Sequence, residues 1–278
     1  MIKRSFTAGV RAVLVTGLVM TPSVVFPGTA ADSTQAIAFV ALLAGILTFV
    51  EYAGAAPSLI DFRSAPPINR LRFVTLLALL LVVTAVVSDG TGHGGWGSQV
   101  AALAAPVGQA LDFPFSPVHL LTIADPRNTA SGVELVRDAA GLGLVLSSVA
   151  VILTLWILKT LDWPLNNGAF NVHVNLPMFD PTSGGDVLAR MKRDAQINIA
   201  LGFLMPFLTP ALVGIVSPFV TLLSPAEPET LIWIVSLWAF LPTSLIIRGT
   251  ALLRVAALIE EKRRRAYAQR GDDGLQIA

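Results

Sequence analysis

AAGLGLVLSSVAVILTLWIL, residues 139–158, runs for twenty positions without an ionisable side chain and ends at Lys159. A helix rises about 1.5 Å per residue, so roughly 20 apolar residues cross the ~30 Å hydrocarbon core of a bilayer. The stretch therefore reads as one membrane-crossing helix. Five more segments approach the same length, at 10–26, 36–56, 73–88, 197–223 and 231–247. The expected fold is an all-α integral membrane protein, a polytopic bundle of five or six transmembrane helices with short interfacial elements. The whole chain, 1–278, makes a single membrane domain.

Composition agrees with that reading. Hydrophobic residues form 54% of the chain and charged residues 13%, against about 25% charged in a soluble domain. The absence of cysteine excludes disulfides, thiolate catalysis and Cys-ligated metals. No other cofactor or metal signature is present, and the basic residues lie where membrane topology puts them rather than in a nucleic-acid stripe.

Orientation follows from those basic residues. Lys3, Arg4 and Arg11 lie at the start; Arg63, Arg70 and Arg72 follow the second segment; Lys159, Arg190, Lys192 and Arg193 follow the fourth; the remaining seven follow the sixth. With six crossings all of these share one side, and only Arg127 and Arg137 fall on the other. Positive charge is retained in the cytoplasm, so the expectation is a bacterial-type inner membrane with a cytoplasmic C-terminus. Residues 1–31 admit two readings, a first transmembrane helix or a secretory signal peptide. Its basic start, its apolar run 12–20 and the small residues Gly28, Thr29, Ala30 and Ala31 fit the latter equally.

The loops are unequal. The non-cytoplasmic loop 89–138 opens on the Gly-rich run DGTGHGGWG (89–97) and contains an apolar piece, 100–111, too short to span and expected to be interfacial or re-entrant. Residues 128–131 read as a turn into a short helix that feeds the fourth span. In the cytoplasmic loop 159–196, Phe170, Val172, Val174 and Leu176 alternate with Asn171, His173 and Asn175, the period of a short strand. The cytoplasmic tail 249–278 carries Lys262, Arg263, Arg264 and Arg265 and is expected to continue the last helix. Two cytoplasmic stretches, PSLIDFRSAPPINRLRF (57–73) and NVHVNLPMFDP (171–181), are dense in Pro, Asn and Arg and predict a rigid, hydrogen-bonding inner surface.

Few residues offer chemistry. Glu51 falls within the second span, where an ionisable group generally marks a partner or a pathway. Alternatively the helix ends near Val50 and Glu51 reaches the headgroups, with Tyr52 as a belt residue. Ala41, Gly45, Thr48 and Tyr52 share a small-residue face suited to close packing, as do Gly143 and Ser147. Pro206, Pro210 and Pro218 interrupt the fifth segment's hydrogen bonding, either lining a cavity or kinking a packing helix. His173 and Arg63 are interaction candidates on the inner surface. His93 and His119 read as loop histidines without metal companions.

The leading expectation is a non-catalytic protein acting by contact, an accessory, assembly or scaffolding subunit whose partners are membrane lipid and another membrane protein or a second copy of itself. The alternative is a small permease or channel-like component using Glu51 and the proline-containing fifth helix. A membrane enzyme would have to draw on His173, Asp180 and Asp186, and spacing gives that no support. A cysteine-free chain suits a direct topology test. In intact cells a membrane-impermeant maleimide is expected to label Gly95→Cys, and to label Arg264→Cys only after permeabilisation; the reverse pattern would invert the orientation.

Overall fold

The computed structural model describes residues 2–26, 31–54, 58–63, 66–93, 95, 97–161, 163–164, 175–177, 179 and 186–275. The architecture is all-helical. The helices are α1 (Ile2–Val25), α2 (Ala31–Ala53), α3 (Pro66–Gly90), α4 (Gly97–Leu111), α5 (Pro117–Thr122), α6 (Ala130–Thr160), α7 (Val187–Val216) and α8 (Pro228–Leu275). Six of them, all but α4 and α5, are long and apolar enough to cross a membrane. In lipid a backbone must satisfy its own donors and acceptors, and a continuous helix does so.

Several boundaries move from their sequence positions. Thr129 caps α6 by accepting from the Gly132 amide (3.1 Å), so the expected turn and separate short helix at 128–131 are instead the start of one 31-residue helix. Asp186 caps α7 by accepting from the Leu188 amide, so helical structure resumes at Asp186 as the sequence leads one to expect, ten residues before the apolar run at 197. At its other end α7 stops at Val216 with Ser217 as its cap, so Pro218 lies beyond the helix rather than inside it. The last helix runs on through the basic tail, as its composition predicts. Of the expected strand, 170–174, including His173, lie outside the described residues. Asn175 and Leu176 are buried without strand pairing, the Asn175 carbonyl accepting from the Phe62 amide at 2.6 Å.

Packing places α3 and α8 at the centre. α8 touches α7 along its length and also meets α6, α3 and α1, while α6 and α7 do not pack on each other. α4 and α5 lie against α3, α6 and α7 at one end of the bundle. α2 packs on α1 alone, leaving Phe39, Val40, Leu43, Ile46, Leu47 and Val50 exposed as lipid-facing surface. Ala41 and Gly45 turn to α1 as their small-residue face predicts: Thr16 donates to the Ala41 carbonyl and sits against Gly45. Gly143 and Ser147 are likewise used inside the molecule, Gly143 beside Ala239 and Leu79, Ser147 donating to the Ala239 carbonyl (3.0 Å). They offer no exposed docking face.

α1 and α2 run in opposite directions, as do α7 and α8. Arg4 reaches Tyr52, Arg72 reaches Ser244, and Lys192 pairs with Glu260 (2.7 Å). Arg263 pairs with Asp186 (3.0 Å) and holds that carboxyl below the usual carboxylate range. One end of the bundle thus collects these cations, and the other carries Phe26 against His93 and Asn128 donating to the Leu223 carbonyl.

Lipid provides no hydrophobic drive for helix association, so close approach of backbones matters more than apolar area. At the α7–α8 seam a Cβ on Gly202 would lie 2.8 Å from the Pro242 carbonyl, and one on Gly249 would lie 2.7 Å from the Ala195 carbonyl. Each helix contributes one glycine to the other's backbone. Gly202→Leu or Gly249→Leu is expected to force the helices apart and lower stability by about 1–3 kcal/mol, as overpacking does. Thermal unfolding in detergent checks this, and an unchanged midpoint in both variants would remove the seam from the argument.

Candidate functional site

The side chains with most chemistry gather at the basic end, around the connection between α2 and α3. Glu51 is buried, at 8% exposure. It faces neither a cavity nor α7. Its carboxylate folds over the end of α2 and accepts from the amides of Ser58 (3.0 and 3.2 Å), Leu59 (3.0 Å) and Ile60 (3.3 Å), and from the Ser58 hydroxyl. α2 continues to Ala53, so the helix does not end near Val50, and Glu51 does not reach out to headgroups. The residue anchors a turn. Three successive amides would otherwise need acceptors, which is the physical reason for a carboxylate here.

Tyr52 and Arg63 lie beside it. Arg63 Nη2 donates to the carbonyls of Tyr52 (3.2 Å) and Gly54 (2.9 Å), and Arg4 Nε donates to the same Tyr52 carbonyl (3.3 Å). The Arg11 guanidinium lies 4.1 Å from the Tyr52 ring centroid and that of Arg63 5.9 Å. Asn69, one turn into α3, donates to the Phe62 carbonyl (2.9 Å) and completes the frame of the loop.

A second group was not singled out by the sequence. Asp61 accepts from Arg248 Nε at 2.6 Å, and Arg248 Nη2 lies 3.6 Å from Asp194 on α7. Arg72, inside the first turns of α3, donates to the Ser244 carbonyl of α8 (3.1 Å) and feels the charges of Asp61 and Arg248. Together these residues tie the α2–α3 connection to α7, α8 and α3. The available signal was depth: Arg72 and Arg248 each sit at the edge of an apolar run, where a cation with only a topological role would have no need of a carboxylate. Below this group, Phe62 and Trp163 meet edge to face at 5.9 Å within a core that includes Ile68, Met191 and Ile247.

The prolines of α7 belong elsewhere. Pro210 has no amide proton, so the Pro206 carbonyl one turn earlier loses its helical partner. The Trp238 indole donates to that carbonyl instead (3.1 Å). Beside it lies a cavity of about 210 Å³, with Ser147 and Ser148 of α6, Pro206 and Phe207 of α7, and Trp238 and Thr243 of α8 in its walls. Ser147, Thr243 and Trp238 already donate to backbone carbonyls, so this space is mostly apolar. Glu51 is not part of it. His119 pairs with Asp112 (2.7 Å), and His93 contacts Thr91 and the Phe26 ring. Among the described residues no three His, Asp or Glu side chains come together as a metal site.

Removing one member of a buried ion pair leaves the other charge uncompensated and costs about 3–5 kcal/mol. Asp61 and Arg248 are half-buried, so Asp61→Ala is expected to cost less, about 1.5–3 kcal/mol, and Asp61→Ala with Arg248→Met to recover part of it, both read from thermal unfolding of the purified protein. A double variant no more stable than Asp61→Ala would mean that the pair does not act as a unit. Comparison of the chain with models of protein families, with curated proteins and with solved structures finds no match.

Proposed function

We propose that this polytopic helical membrane protein acts by contact, as an accessory, assembly or scaffolding subunit of a larger inner-membrane complex, with the basic end in the cytoplasm and without catalysis of its own. The observation that carries this reading is the use of its intramembrane and interfacial polar groups. Glu51, Asp61, Arg63, Arg72 and Arg248 are each bound to backbone or to one another in holding the α2–α3 connection against the bundle. A protein that builds so fixed an inner surface on a mostly apolar bundle is suited to presenting that surface. α2, which packs on α1 alone, adds an apolar flank for a membrane partner.

A small permease or channel-like component is the second reading. The cavity beside Pro206 speaks for it. Its apolar walls and the engagement of Glu51 with residues 58–60 speak against it, since a transport path is marked by polar groups within reach of one another.

The test is gentle detergent extraction of the tagged native protein, followed by native-gel sizing and mass spectrometry. Stoichiometric co-purification with a defined membrane complex is the expected result. A clean monomer would sink the subunit reading. Uptake or leak measurements in vesicles would then compare the wild type with Ser148→Phe, which fills the cavity from α6, and with Glu51→Gln.

A further inference from the structure

Three guanidinium groups converge on Tyr52, and among the described residues none has an anion. Arg4 and Arg11 lie seven residues apart on α1 and so share a face, with buried Ala8 between them. Side chains on a helix lean towards its N-terminus. Arg11 therefore reaches from about 10 Å deeper on α1 back up to the Tyr52 ring, which it meets at 4.1 Å. Arg4 and Arg63 both donate to the Tyr52 carbonyl.

Counting charges shows what is missing. Among the described residues no carboxylate pairs with Arg4, Arg11 or Arg63. The nearest acid, Glu51, has both oxygens engaged by residues 58–60. Among the described residues, buried Arg63 Nη1 has no acceptor and Arg11 contacts the Tyr52 ring without a hydrogen-bond acceptor. The three cations also repel: burial, then the charge of Arg4, and more weakly that of Arg11, hold the Arg63 guanidinium below its ordinary range. An anion seated among them would relieve that repulsion and fill the vacant donors.

The surroundings point to the anion's chemistry. Planar guanidinium forks match the paired oxygens of a phosphate. Arg4 and Arg11 are exposed, and Val10 and Leu14, next to Arg11 and one turn beyond it on α1, are exposed apolar side chains. A phosphate presented by a membrane lipid would place its acyl chains along that apolar surface. We propose that Arg4, Arg11 and Arg63, arrayed around Tyr52, form a binding site for the phosphate of an anionic phospholipid headgroup. Lipid titration of the isolated chain reads this site without a protein partner, so it stands or falls independently of the subunit reading.

The experiment is native mass spectrometry of the delipidated full chain titrated with phosphatidylglycerol, with phosphatidylcholine and with inorganic phosphate. Phosphatidylglycerol is expected to bind more tightly than phosphatidylcholine. Arg4→Gln with Arg11→Gln is expected to weaken it about fivefold for each cation removed, leaving phosphatidylcholine unchanged. Arg264→Gln, in the exposed tail, controls for loss of general positive charge and is expected to have no effect. Inorganic phosphate that binds with the same dependence on Arg4 and Arg11 and displaces the lipid would overturn the lipid as the source. Equal binding of the two lipids, or binding indifferent to the double variant, would overturn the site. Should the double variant not fold, Arg11→Lys keeps a cation over the Tyr52 ring but loses the planar fork. Undiminished preference for phosphatidylglycerol in that variant overturns the proposal as well.

Discussion

Helices in a bilayer gain nothing from hiding apolar surface from lipid that is equally apolar. What holds this bundle must therefore come from backbone approach and from polar groups that would be costly to leave unpaired. Both converge on α8. Along its middle, Gly202 and Gly249 let α7 and α8 meet backbone to backbone, and Ser147 ties α6 to the Ala239 carbonyl. Towards its basic end, Arg248 and the Ser244 carbonyl receive Asp61 and Arg72. The helix acts as the mast to which α3, α6 and α7 are each fastened separately.

The same logic explains the division of polar groups. A proline in a transmembrane helix frees a carbonyl, and in many membrane proteins such carbonyls face a substrate. Here the Trp238 indole takes the carbonyl that Pro210 frees, so the break is repaired within the bundle. A glutamate in a transmembrane helix often marks a pathway. Glu51 instead closes the turn at 58–60. Both features looked chemical in isolation and are structural in context. The cations around Tyr52 are the exception, because they are held in place yet lack a counter-charge among the described residues.

The α1–α2 hairpin stands apart in its energetics. α2 touches only α1, and that contact rests on small residues, Ala41 and Gly45, against Thr16. Its connection to the rest of the protein is concentrated at the basic end, through Glu51, Arg63 and Asn69. Most of α2's surface is thereby left to lipid or to a neighbour, while its end is fixed to the inner surface by hydrogen bonds.

Hydropathy and length alone determined that this chain is a bundle of five or six membrane-length helices, because a ~20-residue apolar run has one stable form in lipid, and the structure has six. The small face of α2 and the continuation of the last helix into the basic tail were equally legible, since both depend on residues a few positions apart. The start of α6 was not, for Thr129 acts through a single capping bond that hydropathy does not register. The partners of Glu51, the Asp61–Arg248–Asp194 group and the cluster of Arg4, Arg11 and Arg63 around Tyr52 were decided only by tertiary structure. Asp61 and Arg248 are 187 residues apart in sequence, and no local period links them. Folding brings them together because neither charge is stable at the membrane boundary without the other.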